Sequence, residues 1–175
     1  MKEILKDDKI TLRALEATDL EDMLRWENDT RLWDVSSTIA PYTKHILWDY
    51  LKNYDGDIYK SHQIRFIIQE NGTEKSVGAL DLFDFDPFNR RVAIGILVDY
   101  EFRNQGYGAR TLELAKEYAF SYLGLKQCHC IIPTDNTHSI SAFKKAGFEE
   151  CGTMKAWLRR GAEYCDAVFM QIVAD

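Results

Sequence analysis

The stretch Val98-Asp99-Tyr100-Glu101-Phe102-Arg103-Asn104-Gln105-Gly106-Tyr107-Gly108-Ala109-Arg110 decides how this chain is read. Just before it, Val92-Ala93-Ile94-Gly95-Ile96-Leu97-Val98 is an unbroken apolar run, as expected of a strand buried on both faces. Gly95 inside that run marks a bulge or a close backbone approach. Just after it, Leu112, Ala115, Ala119 and Tyr122 recur at helical spacing and predict a helix over 109–122. A polar, glycine-bearing loop over 99–108 joins the two. The start of a helix leaves backbone N–H groups unpaired and carries a partial positive charge, so it suits an anion. Gly106 and Gly108 remove side chains where a ligand would press on the backbone. Arg103 adds a cation with several donors, suited to phosphate oxygens. The chemistry fits a pyrophosphate. The segment is not a Walker loop, since no Gly-Lys-Ser/Thr follows. It follows a series of hairpin strands rather than opening a βαβ unit, so it is not a dinucleotide fingerprint either. Taken alone, the two glycines also suit a tight strand-to-helix connection.

Working outward, the N-terminal side begins with an alternating strand over 9–15, in which Ile10, Leu12 and Ala14 are apolar. Thr18-Asp19-Leu20-Glu21 reads as a capping box for a helix over 19–28. A loop over 34–41 follows. Thr43 then caps a second helix that carries Ile46, Leu47, Tyr50 and Leu51 and ends near Asp55-Gly56. Strands are expected at 63–69, 77–85 and 91–98, with turns at Asn71-Gly72 and at Asp86 to Asn89. On the C-terminal side, a strand over 127–132 precedes a helix over 136–146 that Gly147 stops. Strands over 148–158 and 162–173, joined at Arg159-Arg160-Gly161, close the chain. The order β-α-α-β-β-β-α-β-α-β-β is a single α+β domain over 1–175 with a largely antiparallel sheet and four helices.

Composition narrows the function. The 175 residues are 46% hydrophobic and 29% charged, the range of a globular domain, which excludes disorder and collagen-like order. No apolar run approaches the roughly 20 residues that cross a bilayer. The charged start, Met1 to Lys9, has no signal-peptide core, so the expected location is the cytoplasm, with no membrane partner. The net charge is -6 and no Lys/Arg block appears, which disfavours nucleic acid. The acidity permits a cationic substrate. Of the four cysteines, Cys128 and Cys130 flank His129 on a strand. Their thiols point to one face and the imidazole to the other, so the three cannot converge on a metal. They read as core residues, and no metal is expected.

In this context the loop resembles the GNAT acetyltransferase superfamily. Arg103-Asn104-Gln105-Gly106-Tyr107-Gly108 matches that family's pattern of Arg or Gln, two residues, Gly, one residue, then Gly or Ala. It falls between the fourth strand and the third helix, where the pattern belongs. Asn136-Thr137-His138-Ser139-Ile140-Ser141-Ala142-Phe143-Lys144-Lys145-Ala146-Gly147-Phe148 is similar to the family's second motif. The branch it looks most like holds spermidine acetyltransferases and ribosomal-protein N-terminal acetyltransferases. The resemblance implies a mixed sheet with a V-shaped splay between the fourth and fifth strands. It implies direct transfer of an acetyl group from acetyl-CoA to a primary amine, a small polyamine foremost. Acetylation of a protein N-terminus and a non-catalytic CoA-binding module are the rival readings. By resemblance, the backbone of Ile96, Leu97 and Val98 pairs with the pantetheine arm, and the N–H near Leu97 polarises the thioester carbonyl. The N–H groups of Arg103, Asn104, Gln105, Gly106, Tyr107 and Gly108 hold the pyrophosphate. Asn136 bonds the cofactor arm and caps its helix. A homodimer is compatible with all of this.

The sequence departs from the family pattern in two places. Many relatives carry a tyrosine at the position of Phe143, placed to protonate the departing thiolate. Phe143 keeps the ring, which packs on cofactor or core, and lacks the proton. Ser139, one turn earlier on the same helix face, is the candidate general acid. Some relatives carry a glutamate base at the position of Ala93. Asp81, Asp84 and Asp86 are the acids nearby, on or after the neighbouring strand, with a water chain as the equal alternative for the base, and Asp81 is the one assigned to the substrate side. Trp33 and Asp34 are assigned there as well, within a mixture of rings and acids that includes Trp48, Asp49, Tyr54, Asp55 and Asp57. Such a mixture suits a cationic amine, and it equally suits helix packing with wet acidic faces.

Overall fold

Seven strands form one sheet in the order β1-β2-β3-β4-β5-β7-β6. The computed structural model describes residues 3–36 and 38–175, with the side chains of Asp34 and Val35 outside that description. The strands are β1 (Ile10–Ala14), β2 (Ile64–Glu70), β3 (Ser76–Asp86), β4 (Arg91–Val98), β5 (Gln127–Pro133), β6 (Glu149–Arg160) and β7 (Glu163–Val173). The helices are α1 (Leu20–Glu27), α2 (Trp33–Ser36), α3 (Lys44–Asn53), α4 (Ile58–Ser61), α5 (Tyr107–Glu117) and α6 (Thr137–Lys145). Every strand pair is antiparallel except β4–β5, which is parallel. The α+β class and the largely antiparallel sheet are as the sequence implied. The four expected helices are present, joined by two single-turn helices: α2, at the start of the stretch expected to be loop, and α4, between the second expected helix and the strand that follows it. Asp57 explains α4: its carboxylate accepts from Tyr59 N at 2.9 Å and Lys60 N at 3.3 Å, and left-handed His62 ends the turn.

The period-two pattern of the strands gives the sheet two apolar faces. One carries Phe66, Ile68, Leu80, Leu82, Val92, Ile94, Cys128, Cys130, Ile132 and Met170 against Leu112, Ala115 and Ala119 of the α5 side. The other carries Ile67 and Ala79 against Met23 and Trp26 of α1 and Leu47 of α3. Each large side chain so buried contributes about 1.5–3 kcal/mol. Cys128 and Cys130 are core residues of the first face, and burial pushes both thiols up to about 12.

Three local expectations change. The start of α1 is organised by Asp19 rather than Thr18: Asp19 accepts from Glu16 N at 2.8 Å, is buried, and takes both ends of the Arg13 guanidinium. Helix α5 begins at Tyr107, two residues early, because Gly106 adopts φ 85° and serves as its N-cap. It then widens over Tyr118–Tyr122, where Leu123 N donates to Tyr118 O at 3.0 Å. Finally, Gly95 is no bulge. It pairs in register with Asp81, and a Cβ there would stand 3.3 Å from the Phe83 ring, so close approach is its reason.

Candidate active site

The site starts from a broken pairing. β4 and β5 pair only through Arg91 with Gln127, Val92 with Cys128 and Ala93 with His129. Beyond that last rung, β4 continues to Val98 and β5 to Pro133 with no further pairing between them, so the sheet opens in a V whose apex is the Ala93–His129 rung. Burial follows the opening: residues 92–94 are buried, while 95–98 are half-exposed, which revises the reading of β4 as covered throughout. Asp99 N donates to Val77 O at 2.9 Å, and Ala79 stands opposite Leu97. Antiparallel ladders alternate, so Leu97 turns its backbone groups to β3 while Ile96 and Val98 present theirs to the gap. Gly78 fits the same picture: a Cβ there would lie 2.1 Å from the Leu97 carbonyl oxygen.

The loop above the V is set by Asp99. Burial opposes its charge, but Trp26 Nε1 at 2.8 Å, Arg25 Nη2 at 2.6 Å and Glu101 N at 3.1 Å outweigh that and hold its carboxyl below the usual range. Asn104 at φ 60° and Gly106 at φ 85° are both left-handed. Such alternation turns successive N–H groups to one concave side. Gly106 offers no side-chain cap, and the first backbone bond it accepts comes from Arg110 N, at 3.2 Å, so the N–H groups at the start of α5 remain for an anion. A Cβ at Gly106 would meet nothing within 4 Å, so the space in front is open. One at Gly108 would reach Val98 Cγ2 at 3.9 Å, which shows how closely α5 packs on β4. Arg103 folds over the end of β4, with Nε 3.3 Å from Val98 O, and stacks on Tyr100. Arg31 also stacks on Tyr100, at 3.8 Å. The Gln105 carbonyl accepts from Lys9 Nζ at 2.6 Å. Tyr107 contributes only backbone, since its ring is buried and its hydroxyl bonds Glu70.

Across the V, α6 begins at Asn136, whose Oδ1 accepts from Ser139 N at 3.2 Å. That cap leaves the Asn136 amide nitrogen as a donor. Ser139 is half-exposed in the first turn. Phe143, one turn on, is buried at 7% exposure and meets Phe148 edge-on at 4.9 Å, so its ring packs in the core.

The opposite face of the sheet carries residues the sequence assigns to the substrate side. Asp81 does not stand free there: Arg65 binds it through two bonds and takes Glu27 at 2.8 Å with a third nitrogen. Burial works against the Arg65 charge, yet these two carboxylates hold it above its ordinary range. Trp33 uses its indole N–H on the Glu27 carbonyl at 3.0 Å, which ties α2 to the end of α1. The Asp34 side chain lies outside the described residues. A cavity of about 630 Å³ opens beside the lower end of the V, lined by His62, Asp84, Asp86, Arg91, His129 and Phe169 among others. A smaller one of about 340 Å³ holds Asp49, Tyr50, Tyr54 and Asp55. Sequence reasoning passed over Arg65 and Asp99. A lone arginine on a strand, or an aspartate just past a strand's end, carries no local signal of its partners.

Among the described residues, no group of three or more His, Cys, Asp or Glu side chains is arranged to hold a metal, and no helix is long and apolar enough to cross a membrane. The sequence model of the acetyltransferase (GNAT) domain matches residues 9–149. Spermidine N(1)-acetyltransferase of Escherichia coli K12 is 26% identical over 166 residues, covering 93% of this chain and 85% of that protein. A crystal structure of spermidine N-acetyltransferase from Vibrio cholerae in complex with CoA and spermine superposes with TM-score 0.85 at 22% identity, over 95% of this chain and 96% of that one. A dodecameric structure of spermidine N-acetyltransferase from Vibrio cholerae superposes at TM-score 0.79 and 22% identity, over 95% of each chain.

Proposed function

The chain belongs to the GNAT acetyltransferase family, and from that premise we propose that it acetylates a polyamine such as spermidine, with acetyl-CoA as donor. The observation that carries the reading is the V between β4 and β5 lying directly below the uncapped start of α5. The backbone N–H groups of 103–108 take the pyrophosphate, and Arg103 adds charge at the rim. Ile96 and Val98 pair with the arm along the open edge of β4, as an added strand pairs with a sheet. Their gap-facing N–H groups, rather than that of Leu97, polarise the thioester carbonyl. Asn136 donates its amide N–H to the arm from the other side. Ser139 supplies the proton that the departing thiolate needs.

Transfer is direct. Cys128 and Cys130, the thiols closest to the V in sequence, are buried on the core face and held protonated, so neither offers a thiolate to take the acetyl group. The acceptor side fits a cation: Asp84 and Asp86 line one cavity, and Asp49 and Asp55 line the other beside two tyrosines. The similarity to a spermidine acetyltransferase, over 93% of this chain, supports the same acceptor. Self-association in the cytoplasm completes the reading, through the exposed apolar side chains Ile39, Ile46 and Trp48. The test is thiol release from acetyl-CoA across a panel of spermidine, spermine, amino acids and short peptides with free N-termini. Turnover with the polyamines well above the rest supports the proposal. A preference for peptides overturns the acceptor, and binding without turnover on any amine overturns the enzyme.

A further inference from the structure

A primary amine reaches the site as an ammonium ion near neutral pH, and its nitrogen cannot attack until a proton leaves. The acceptor face holds few groups free to take it. Asp81 has both oxygens on Arg65. Asp86 is held by Asn89 and pairs with Arg91 at 3.0 Å. The Nδ1 atom of His62 sits 2.8 Å from the Phe85 carbonyl. Ala93 has nothing to offer. Asp84 is exposed at the cavity rim, on a left-handed residue.

His129 differs from these in its place, on the last rung before β4 and β5 part. It occupies the apex rung of the V opposite Ala93, and paired residues of parallel strands project to the same face. Its ring is half-buried, lies nearly flat on Phe169 with centroids 5.5 Å apart, and lines the 630 Å³ cavity. Among the described residues, no carboxylate is hydrogen-bonded to it. We propose that His129 is the general base of the transfer. The proposal rests on the acetyltransferase reading above and adds the group that prepares the acceptor. The surroundings suit the role. Burial pulls the imidazole below its ordinary value, Asp84 pulls it up and Arg91 pushes it down, with a net lowering. His62 and Asp86 are the other titratable groups on the cavity wall. The ring is therefore neutral near pH 7 and can accept a proton.

The step balances. The ammonium gives one proton to a ring nitrogen of His129. The freed lone pair forms the C–N bond to the acetyl carbon, and the C–S bond breaks with its pair on sulfur. The new amide nitrogen sheds its second proton, which reaches the thiolate by way of Ser139. His129 then returns its proton to water. The products are the acetylated amine, the CoA thiol and one proton.

The test uses the full chain with acetyl-CoA and spermidine. In the wild type, kcat should climb through the acid range and level off by about pH 7, as the bound base loses its proton. His129→Gln should lower kcat about 10²-fold, leave acetyl-CoA affinity unchanged, and replace the plateau by a rate still rising towards the range of the amine itself. His129→Asp, which keeps a base of lower pKa, should move the acid limb down. A merely structural histidine would move none of these profiles. If both variants fail to fold, NMR titration of the His129 ring in the wild type decides: a ring still charged at neutral pH overturns the proposal. An active wild type with an unchanged His129→Gln profile overturns the base and leaves the acetyltransferase reading standing. A wild type that releases no thiol with any amine overturns that reading first, and the base with it.

Discussion

Arg65 holds Asp81 through two parallel bonds, Nε to Oδ1 at 2.7 Å and Nη2 to Oδ2 at 2.8 Å, and bonds Glu27 with its remaining nitrogen. The arrangement ties α1 to β2 and β3. It also takes from Asp81 the role of free acid that its strand position suggested. Removing the arginine would strand two half-buried carboxylates, a loss of about 1–3 kcal/mol. Arg65→Met is therefore expected to lower unfolding free energy by that amount in urea titration. A loss below about 1 kcal/mol would mean the triad behaves like a surface pair.

Gly106 combines φ 85° with open space in front of its Cα. Gly106→Val forces a β-branched residue into a conformation that costs about 1–3 kcal/mol and puts methyl groups where the pyrophosphate would lie. Calorimetry is expected to show acetyl-CoA binding weakened at least about tenfold, which corresponds to 1.4 kcal/mol. Arg103→Ala should weaken it less, because a rim cation is screened by solvent. Unchanged affinity in the glycine variant would remove the loop from the cofactor site.

Asp99 gives a pH dependence of stability with a definite sign. Its folded pKa lies below the ordinary aspartate value. Its contribution is therefore complete above the unfolded value of about 3.9 and is lost as pH falls through the lower, folded one. Asp99→Asn keeps the shape and loses the charge that Arg25 and Trp26 address. The variant is expected to be about 1–3 kcal/mol less stable at pH 7, with the difference shrinking below about pH 3.9. A difference that grows on acidification would contradict the sign.

Ser139 and Phe143 share a face of α6, yet one is half-exposed beside the V and the other is buried against Phe148. If the serine delivers the proton, Ser139→Ala lowers kcat by about 10²- to 10⁴-fold while acetyl-CoA affinity holds. The control is rapid-quench measurement showing that chemistry limits turnover. An unmoved kcat under that condition would rule the hydroxyl out. Phe143→Tyr is expected to cost about 1–3 kcal/mol of stability through a hydroxyl buried among rings, with no gain in kcat. A faster variant would show that the ring edge reaches the thiolate after all.

Much of this arrangement was legible in the residues. The glycine loop and the stripe of Leu112, Ala115 and Ala119 are local patterns that survive folding, whereas Tyr122 of that stripe ends exposed and the apolar run of β4 is covered only over 92–94. The opposed directions of Cys128, His129 and Cys130 survive as well, since they follow from strand alternation alone. What escaped depends on register and long-range contact. The alternation of β4 against β3, which turns Leu97 away from the gap, needs Asp99 on Val77 to fix its phase. The partners of Asp81 sit on two other elements, at Arg65 and Glu27. His129 gains meaning only when the rung opposite it proves to be Ala93 at the apex of the V. The single-turn helices at 33–36 and 58–61 were missed because one turn buries too little to leave a periodic trace.

The proposed reaction moves an acetyl group from acetyl-CoA to a polyamine. Incubating the full chain with acetyl-labelled acetyl-CoA and spermidine, then following the label by mass spectrometry beside free thiol, tests it most directly. The label is expected on a spermidine nitrogen, with one thiol released per acetyl group moved and no labelled protein. Tight binding of acetyl-CoA with label and thioester intact, or label left on the protein itself, would contradict it.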